Sequence, residues 1–181
     1  MGRRERNVGS AFDTSDMDHD GFLDKDDMAT VASMLCYRLG FSVPARESRL
    51  IHNGYATAWE NAITLIDGDR HGRIARKQYV GYALQPGLDR MAFVASVVWP
   101  ITDALWDAMD RDGDEHLDRA EYQQLWAAFD VEGRAARRAF DLLDVNRDGR
   151  LSKDEFAQAM YDFYYRREVR GGPPILGEGT R

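Results

Sequence analysis

The chain has 181 residues, of which 44% are apolar and 30% charged, a balance typical of a folded soluble protein with its own core. The chain has no lysine-rich tract and only short basic patches near its ends, so we expect no nucleic-acid partner, and the single cysteine, Cys36, excludes an intramolecular disulfide. No apolar run is long enough to cross a membrane, and the start MGRRER lacks the apolar segment of a signal peptide, so we expect a cytoplasmic protein without a membrane partner.

The first predicted element is a helix over residues 7–15, which leads into the acidic segment 16–27, DMDHDGFLDKDD. Its acidic residues recur at alternate positions before and after Gly21. This pattern is that of the EF-hand calcium loop, which supplies oxygens from positions 1, 3, 5, 7, 9 and 12 and turns at a glycine at position 6. The candidate metal ligands in this first loop are Asp16, Asp18, Asp20, the backbone carbonyl of Phe22, Asp24 and Asp27.

A second loop of the same phase follows after two predicted helices. The helices cover residues 25–39 and 45–66, and a break between them begins at Gly40, a candidate helix C-cap. In the loop, DGDRHGRIARKQ, position 9 is Ala75 and position 12 is the neutral Gln78, so most of the anionic ligands are missing. We therefore expect this second loop to serve as the structural partner of the first and to bind no ion.

The third loop, residues 110–121, is entered by a helix predicted over 88–109. Pro100 should kink that helix, because proline lacks the amide donor and its ring clashes with the preceding turn. Position 6 of the loop is Glu115, and the positive φ needed there costs a non-glycine residue about 1 kcal/mol. The candidate ligands are Asp110, Asp112, Asp114, the backbone carbonyl of His116, Asp118 and Glu121.

The fourth loop, residues 144–155, matches the EF-hand pattern at every fixed position. Its candidate ligands are Asp144, Asn146, Asp148, the backbone carbonyl of Arg150, Ser152 through a water molecule, and Glu155. Each of the four loops also carries an aliphatic residue at position 8, where a short strand joins two loops back to back. These residues are Leu23, Ile74, Leu117 and Leu151.

These elements predict an all-α fold, with four helix-loop-helix units in two pairs that pack into one compact body. Short antiparallel strands should join the loops within each pair. We expect the first pair at residues 1–84, a linker at 85–87, the second pair at 88–165 and an irregular tail at 166–181.

The carboxylates predict about three Ca²⁺ ions per chain, in loops one, three and four. Loop one ends in Asp27, whose side chain is one methylene shorter than glutamate, so a six-coordinate Mg²⁺ is an alternative occupant there. Three Ca²⁺ ions would bring the formal charge from −7 to about −1. The acidity is therefore attributed to metal sites rather than to a surface for basic partners.

Five features carry a resemblance to a known family. They are the four loops, the degenerate second one, the long spacing within the first pair, the proline before loop three and the aromatic end DFYYRR. With these features the sequence resembles the calerythrin and sarcoplasmic calcium-binding protein family over nearly its whole length. The resemblance implies a compact monomer with one aromatic core, and a function as an intracellular Ca²⁺ buffer or transporter.

Two other functions use the same loops. A Ca²⁺ sensor would expose a methionine-lined groove to a target protein, but the seven methionines are scattered and large aromatic residues dominate. Photoproteins and coelenterazine-binding proteins share this architecture and enclose a ligand, and their chemistry uses histidines beside the chromophore. Here His19, His71 and His116 all lie in loops, and only His52 lies on a predicted helix. No residue set typical of an enzyme is present. We therefore expect a buffer that is not an enzyme, with the sensor as the alternative and a passive apolar ligand cavity left open.

Overall fold

The computed structural model describes residues 3–66, 71–85 and 92–165. Its elements, named here in chain order, are α1 (Arg3–Ser15), β1 (Phe22–Leu23), α2 (Lys25–Leu39), α3 (Arg46–Ile66), β2 (Ile74–Ala75), α4 (Arg76–Ala83), α5 (Trp99–Met109, preceded by a π-helical turn at Val94–Val98), β3 (His116–Asp118), α6 (Arg119–Ala128), α7 (Gly133–Leu143), β4 (Arg150–Ser152) and α8 (Lys153–Tyr165). The described residues are thus mainly helical, and the predicted all-α fold is confirmed.

The predicted helix bounds agree with the structure to within one residue at most ends. The exception is α1, which begins at Arg3 rather than at residue 7. Gly40 ends α2 with a φ of 75° and donates its N–H to the carbonyl of Tyr37, so the predicted C-cap is confirmed. The predicted start of the helix at residue 88, most of the linker 85–87 and the tail 166–181 lie outside the described residues.

Two short antiparallel sheets join the loops in the predicted pairs. β1 pairs with β2, with Leu23 opposite Ile74, and β3 pairs with β4, with Leu117 opposite Leu151. Position 8 of one loop therefore faces position 8 of its partner in both sheets, as predicted. All four of these side chains are buried, so the strands tie each pair of loops to the hydrophobic core.

One continuous hydrophobic core draws residues from every helix of the described chain. In the first half, the rings of Phe12 and Tyr79 meet edge to face at 5.6 Å, and Tyr79 meets Phe93 in the same way at 5.3 Å. Because Phe93 precedes α5, this aromatic chain extends from the first pair of loops to the helix that enters the second. The two halves therefore share a core rather than facing solvent separately.

The helices α3 and α5 cross very closely at Gly54. A β-carbon added to Gly54 would lie 2.4 Å from the Cβ atom of Ala104 and 2.7 Å from the carbonyl oxygen of Pro100. A real Cβ atom does not make contacts this short, so only glycine permits this crossing distance. The crossing joins the long helix of the first pair to the helix that enters the third loop.

Pro100 in α5 is accommodated by the π-helical turn that precedes this helix. Trp99 donates its N–H to the carbonyl of Val94, five residues earlier, so the backbone is wider than in an α-helix. Pro100 has no N–H to offer to the carbonyl of Ser96. The side-chain amide of Asn61 on α3 donates to that carbonyl instead, at 2.7 Å. The expected disturbance at Pro100 thus takes the form of a π turn that also links the two halves.

Candidate metal centres

The first ligand position of each candidate loop lies at the end of an entering helix. Asp16 and Asp144 are 7% and 8% exposed, and Asp110 is half-buried. In each loop one oxygen of this aspartate accepts a hydrogen bond from the backbone N–H of position 6, at 3.0 to 3.1 Å. The loop therefore folds around its own first carboxylate, and the other ligand positions are gathered on the same side.

The turn that gathers the ligands requires left-handed backbone at positions 4 and 6. Position 6 has a φ of 87° at Gly21, 64° at Glu115 and 83° at Gly149. The positive φ predicted for Glu115 is therefore present, and an L-residue carries its cost. The loop keeps this conformation because the Glu115 N–H donates to Asp110 Oδ2 at 3.1 Å.

The carboxylate at position 12 closes each of the three candidate loops in the same way. One oxygen of Asp27, Glu121 or Glu155 accepts from the N–H of position 2, at 2.9 to 3.1 Å. The other oxygen accepts from the N–H of position 9, at 3.0 Å. Since position 9 directly precedes the exit helix, this second bond forms half of a helix capping box. The last ligand is thus fixed at both ends of the loop.

Loop one gathers a compact set of carboxylates. Oxygens of Asp16, Asp18 and Asp27 all lie within 4.8 Å of one another. Oδ1 of Asp16 is buried and has no hydrogen-bond partner among the described residues. Burial raises the pKa of Asp27, against the opposing effect of the N–H donors of Met17 and Asp24. A buried, unpaired carboxylate oxygen beside two further carboxylates is an arrangement that a cation stabilises, so the residues of loop one fit a metal ion.

Loop three brings together oxygens of Asp110, Asp112 and Asp114, again within 4.8 Å of one another. The predicted ligand Glu121 lies outside this group, and its two oxygens accept from the backbone N–H groups of Arg111 and Asp118. The side chain of His116 turns back toward the carbonyl of Asp114, with Nδ1 at 2.8 Å, so its imidazole is held within its own loop. The backbone carbonyl of His116 therefore stays its predicted contribution to the site.

Loop four has fewer carboxylates because Asn146 occupies position 3. The Asn146 amide donates to Asp148 Oδ2 at 2.9 Å, and its oxygen accepts from the Asp148 N–H at 2.9 Å. Burial alone would raise the pKa of Glu155, but hydrogen bonds from Ser152, Asn146 and Val145 outweigh that effect and lower it. The closing carboxylate of loop four is therefore held in its ionised form, which is the form that binds Ca²⁺.

Loop two keeps the scaffold of the other loops with a neutral closing residue. Oε1 of Gln78 accepts from the N–H of Ala75 at 2.8 Å, the same bond that the carboxylates make elsewhere. Gly72 has a φ of 67°, as position 6 requires. Asp67 and Asp69 lie outside the described residues. The described part of the loop thus retains the strand and the helix start but not the charge at position 12.

Two arginine side chains at position 7 make contacts that the loop pattern does not predict. The pattern assigns a role to the backbone carbonyl of Arg150 alone and none to Arg73. Each guanidinium contacts the position 5 aspartate of the partner loop, Asp114 for Arg150 and Asp20 for Arg73. The available signal was the residue type: in both pairs the second loop has arginine at position 7, next to the aliphatic residue at position 8 that faces the first loop.

No helix among the described residues is long and apolar enough to span a membrane.

Comparison with known proteins supports the sequence motif. The family described as an EF-hand domain pair matches residues 100–161, and a second EF-hand family matches residues 9–32. Calerythrin from Saccharopolyspora erythraea is 23% identical over 157 residues, which cover 86% of this chain and 89% of calerythrin. The predicted relationship to EF-hand proteins of the calerythrin type is confirmed.

Two solved structures have the same fold. A calcium-binding protein of Streptomyces coelicolor superposes with a TM-score of 0.69 at 24% identity, over 89% of this chain and 97% of that one. The structure of that protein was described as a basis for prokaryotic calcium-mediated regulation. The coelenterazine-binding protein of Renilla muelleri, in a Ca²⁺-loaded apo form, gives a TM-score of 0.64 at 20% identity, over 93% and 91% of the two chains. At these identities the likeness concerns the fold alone.

Proposed function

Because the chain belongs to the EF-hand family of calcium-binding proteins and resembles calerythrin over most of its length, we propose that it is a cytoplasmic Ca²⁺ buffer or transporter. In this proposal it acts as a monomer, binds about three ions in loops one, three and four, and has no catalytic activity. The observation that carries the site assignment is the geometry of position 12. Three loops close with a carboxylate fixed by two backbone N–H groups, whereas loop two closes with Gln78.

Each of the three loops would surround an ion with oxygen atoms only, which is the ligand chemistry that Ca²⁺ prefers. Positions 1, 3 and 5 supply side-chain oxygens and position 7 a backbone carbonyl. Position 12 supplies a carboxylate, which is Asp27 in loop one and glutamate in the other two. The shorter Asp27 keeps Mg²⁺ as a competing occupant of loop one, since Mg²⁺ accepts a smaller number of ligands.

The choice of a buffer over a sensor rests on the core. Met28, Met109 and Met160 are buried at 6%, 0% and 3% exposure, within the single core to which every described helix contributes. A sensor would have to bare such residues to a target when Ca²⁺ binds. Separating the halves would also open the contact between Tyr79 and Phe93 and the hydrogen bond from Asn61. These contacts favour a loaded form that stays closed.

A cavity lies between the two halves, and its size bears on whether this protein could enclose a ligand such as coelenterazine. It measures about 90 Å³ and is lined by Tyr55 and Tyr79 from the first half and by Trp106, Trp126 and Phe156 from the second. An engineered apolar cavity of about 150 Å³ holds one benzene molecule. A ligand larger than benzene would therefore require the lining side chains or helices to move, which favours a Ca²⁺-binding function without a bound chromophore.

Calorimetric titration combined with a test of surface exposure distinguishes the two functions. We expect a stoichiometry of about three Ca²⁺ ions, and Ca²⁺ should leave the binding of a hydrophobic dye unchanged or reduce it. Glu155→Gln, which should lose the ion of loop four, is the control for a partly loaded protein. If Ca²⁺ instead increases dye binding and the loaded protein captures an amphipathic helical peptide, the protein is a sensor and the buffer proposal is wrong.

A further inference from the structure

The two pairs of loops contain the same ion pair between loops. In the first pair, Arg73 of loop two has a guanidinium nitrogen 3.6 Å from Oδ2 of Asp20 in loop one. In the second pair, the guanidinium of Arg150 in loop four contacts Oδ2 of Asp114 in loop three. Both arginines occupy position 7 and both aspartates occupy position 5, so the contact follows the symmetry of the strand pairing.

The aspartates that receive these arginines share one arrangement. Oδ1 of Asp20 accepts from the N–H of Phe22 at 2.8 Å, and Oδ1 of Asp114 accepts from the N–H of His116 at 2.9 Å. In each case Oδ1 faces the loop backbone and Oδ2 faces the arginine. The Arg73 side chain is held in place by the ring of Phe22, with its guanidinium carbon 4.1 Å from the ring centroid.

Loop four differs at the same position. Oδ2 of Asp148 accepts from the amide of Asn146 at 2.9 Å, a neutral donor within its own loop. The residue at position 7 of the partner loop is His116, whose ring is hydrogen-bonded within loop three. Among the described residues, an arginine guanidinium therefore lies beside a candidate ligand in loop one and in loop three, but not in loop four.

We propose that Arg73 and Arg150 set the Ca²⁺ affinity of the neighbouring loop. Each guanidinium competes with Ca²⁺ for the position 5 carboxylate, so that it lowers the affinity of loop one or loop three and stabilises the pair of loops in the absence of the ion. Arg150 has a second role, because its backbone carbonyl is a candidate ligand in loop four while its side chain acts on loop three. The proposal rests on the assignment of Ca²⁺ to loops one, three and four.

The direction of the effect follows from charge. A divalent cation that binds beside Asp114 experiences repulsion from the guanidinium, and the aspartate must share its charge between the two cations. Without the ion, the same guanidinium relieves repulsion among Asp110, Asp112 and Asp114. Removal of the arginine charge should therefore strengthen Ca²⁺ binding and weaken the ion-free fold. The Arg150 and Asp114 side chains are 56% and 31% exposed, so the effect is moderate.

The test compares Arg150→Gln with two matched variants. Arg150→Lys keeps the positive charge, and Arg138→Gln removes one positive charge from the exposed face of α7, where the described residues provide it with no carboxylate partner. All three keep the backbone carbonyl of residue 150. The amide signals of Gly21, Glu115 and Gly149 report on the loops separately in an NMR titration, because each donates to the first carboxylate of its own loop.

For Arg150→Gln at low salt, we expect the Ca²⁺ dissociation constant at Glu115 to fall by about two- to fivefold and that at Gly149 to change less. The difference should vanish in about 1 M salt, where the Debye length is about 3 Å. The ion-free variant should also melt at a lower temperature than Arg138→Gln. Arg150→Lys should retain the affinity of the original protein, and Arg73→Gln should produce the same increase at Gly21.

An unchanged or larger dissociation constant at Glu115 in Arg150→Gln would overturn the proposal, since the arginine would then be neutral or would orient the ligand. An equal gain in Arg138→Gln would also overturn it, because the effect would be one of net charge. Failure of the underlying assignment has a different signature. If loops one and three bind no Ca²⁺, Gly21 and Glu115 fail to titrate in the original protein before any variant is made.

Discussion

The two pairs of loops have the same scaffold but differ in their ligands. Both pairs place position 8 opposite position 8, and both begin the exit helix with a bond between positions 9 and 12. In the second pair that bond always involves a glutamate, whereas in the first it involves Asp27 in one loop and the neutral Gln78 in the other. The scaffold therefore does not depend on a full set of ligands.

Gln78 shows how a loop keeps its scaffold without a full set of ligands. Its amide oxygen accepts the N–H of Ala75 just as a carboxylate would, so the turn and the helix start survive the loss of charge. What is lost is the electrostatic attraction for a cation. A loop can thus cease to bind while it still provides the strand that its partner requires.

Removal of Ca²⁺ should produce the largest change in stability, because the loops of both pairs are then without an ion. Without the ion, the carboxylates of loops one and three repel one another, and each bound ion stabilises the fold by about 4.1 kcal/mol at a thousandfold excess over its dissociation constant. We expect the melting temperature in calorimetry to fall sharply on addition of a chelator. Equal melting temperatures with and without Ca²⁺ would contradict the proposed sites.

Substitution at position 12 should reduce Ca²⁺ binding in loop four but not in loop two. Glu155→Gln leaves loop four with the closing residue of loop two, and we expect Ca²⁺ affinity there to drop by about 100-fold, or 2.7 kcal/mol. Calorimetric titration should then find one ion fewer. Gln78→Ala is the matched variant in loop two and should leave the number of bound ions unchanged. Loss of an ion from Gln78→Ala would show that loop two binds.

The length of the closing residue should distinguish loop one from loop three. Asp27→Glu should raise the Ca²⁺ affinity of loop one by about tenfold and reduce competition from Mg²⁺, because glutamate reaches a bidentate geometry more easily. The reverse change, Glu121→Asp, should weaken loop three by a similar factor. Titration with Ca²⁺ in the presence and absence of millimolar Mg²⁺ measures both. If the two substitutions shift the Ca²⁺ affinity in the same direction, the length of the side chain at position 12 is not the cause.

The smallest expected difference is in pH dependence of the ion-free protein. Burial raises the pKa of Asp27, so its protonated form stabilises the fold at low pH, and that contribution is lost as pH rises through the folded pKa. The pKa of Glu155 is lowered, so its contribution is present above the unfolded pKa and is lost as pH falls through the folded pKa. Carboxyl carbon NMR should therefore find the pKa of Asp27 above, and that of Glu155 below, the value of the same residue in the unfolded chain. A shift of either pKa in the opposite direction would contradict this assignment.

The sequence predicted the helices and the pairing of loops because each depends on local spacing, and Leu117 opposite Leu151 follows from the phase of the 12-residue pattern. The same pattern predicts which residues face the ion, and those ligand positions stay a prediction. The sequence did not reveal the close approach at Gly54 or the bond from Asn61 to Ser96, since both join residues far apart in the chain. The two arginines were missed because their side chains act on the partner loop rather than on their own.

The π turn at Val94–Val98 fixes the rotational phase between two aromatic contacts. Phe93, before the turn, meets Tyr79 of the first half, and Trp106, after it, meets Phe156 of the second at 5.6 Å. Each residue of an α-helix advances the rotation by about 100°. Deletion of one residue within the turn would restore α-helical spacing and swing Phe93 away from Tyr79. The extra residue therefore acts as an angular spacer that lets one helix face both halves of the protein.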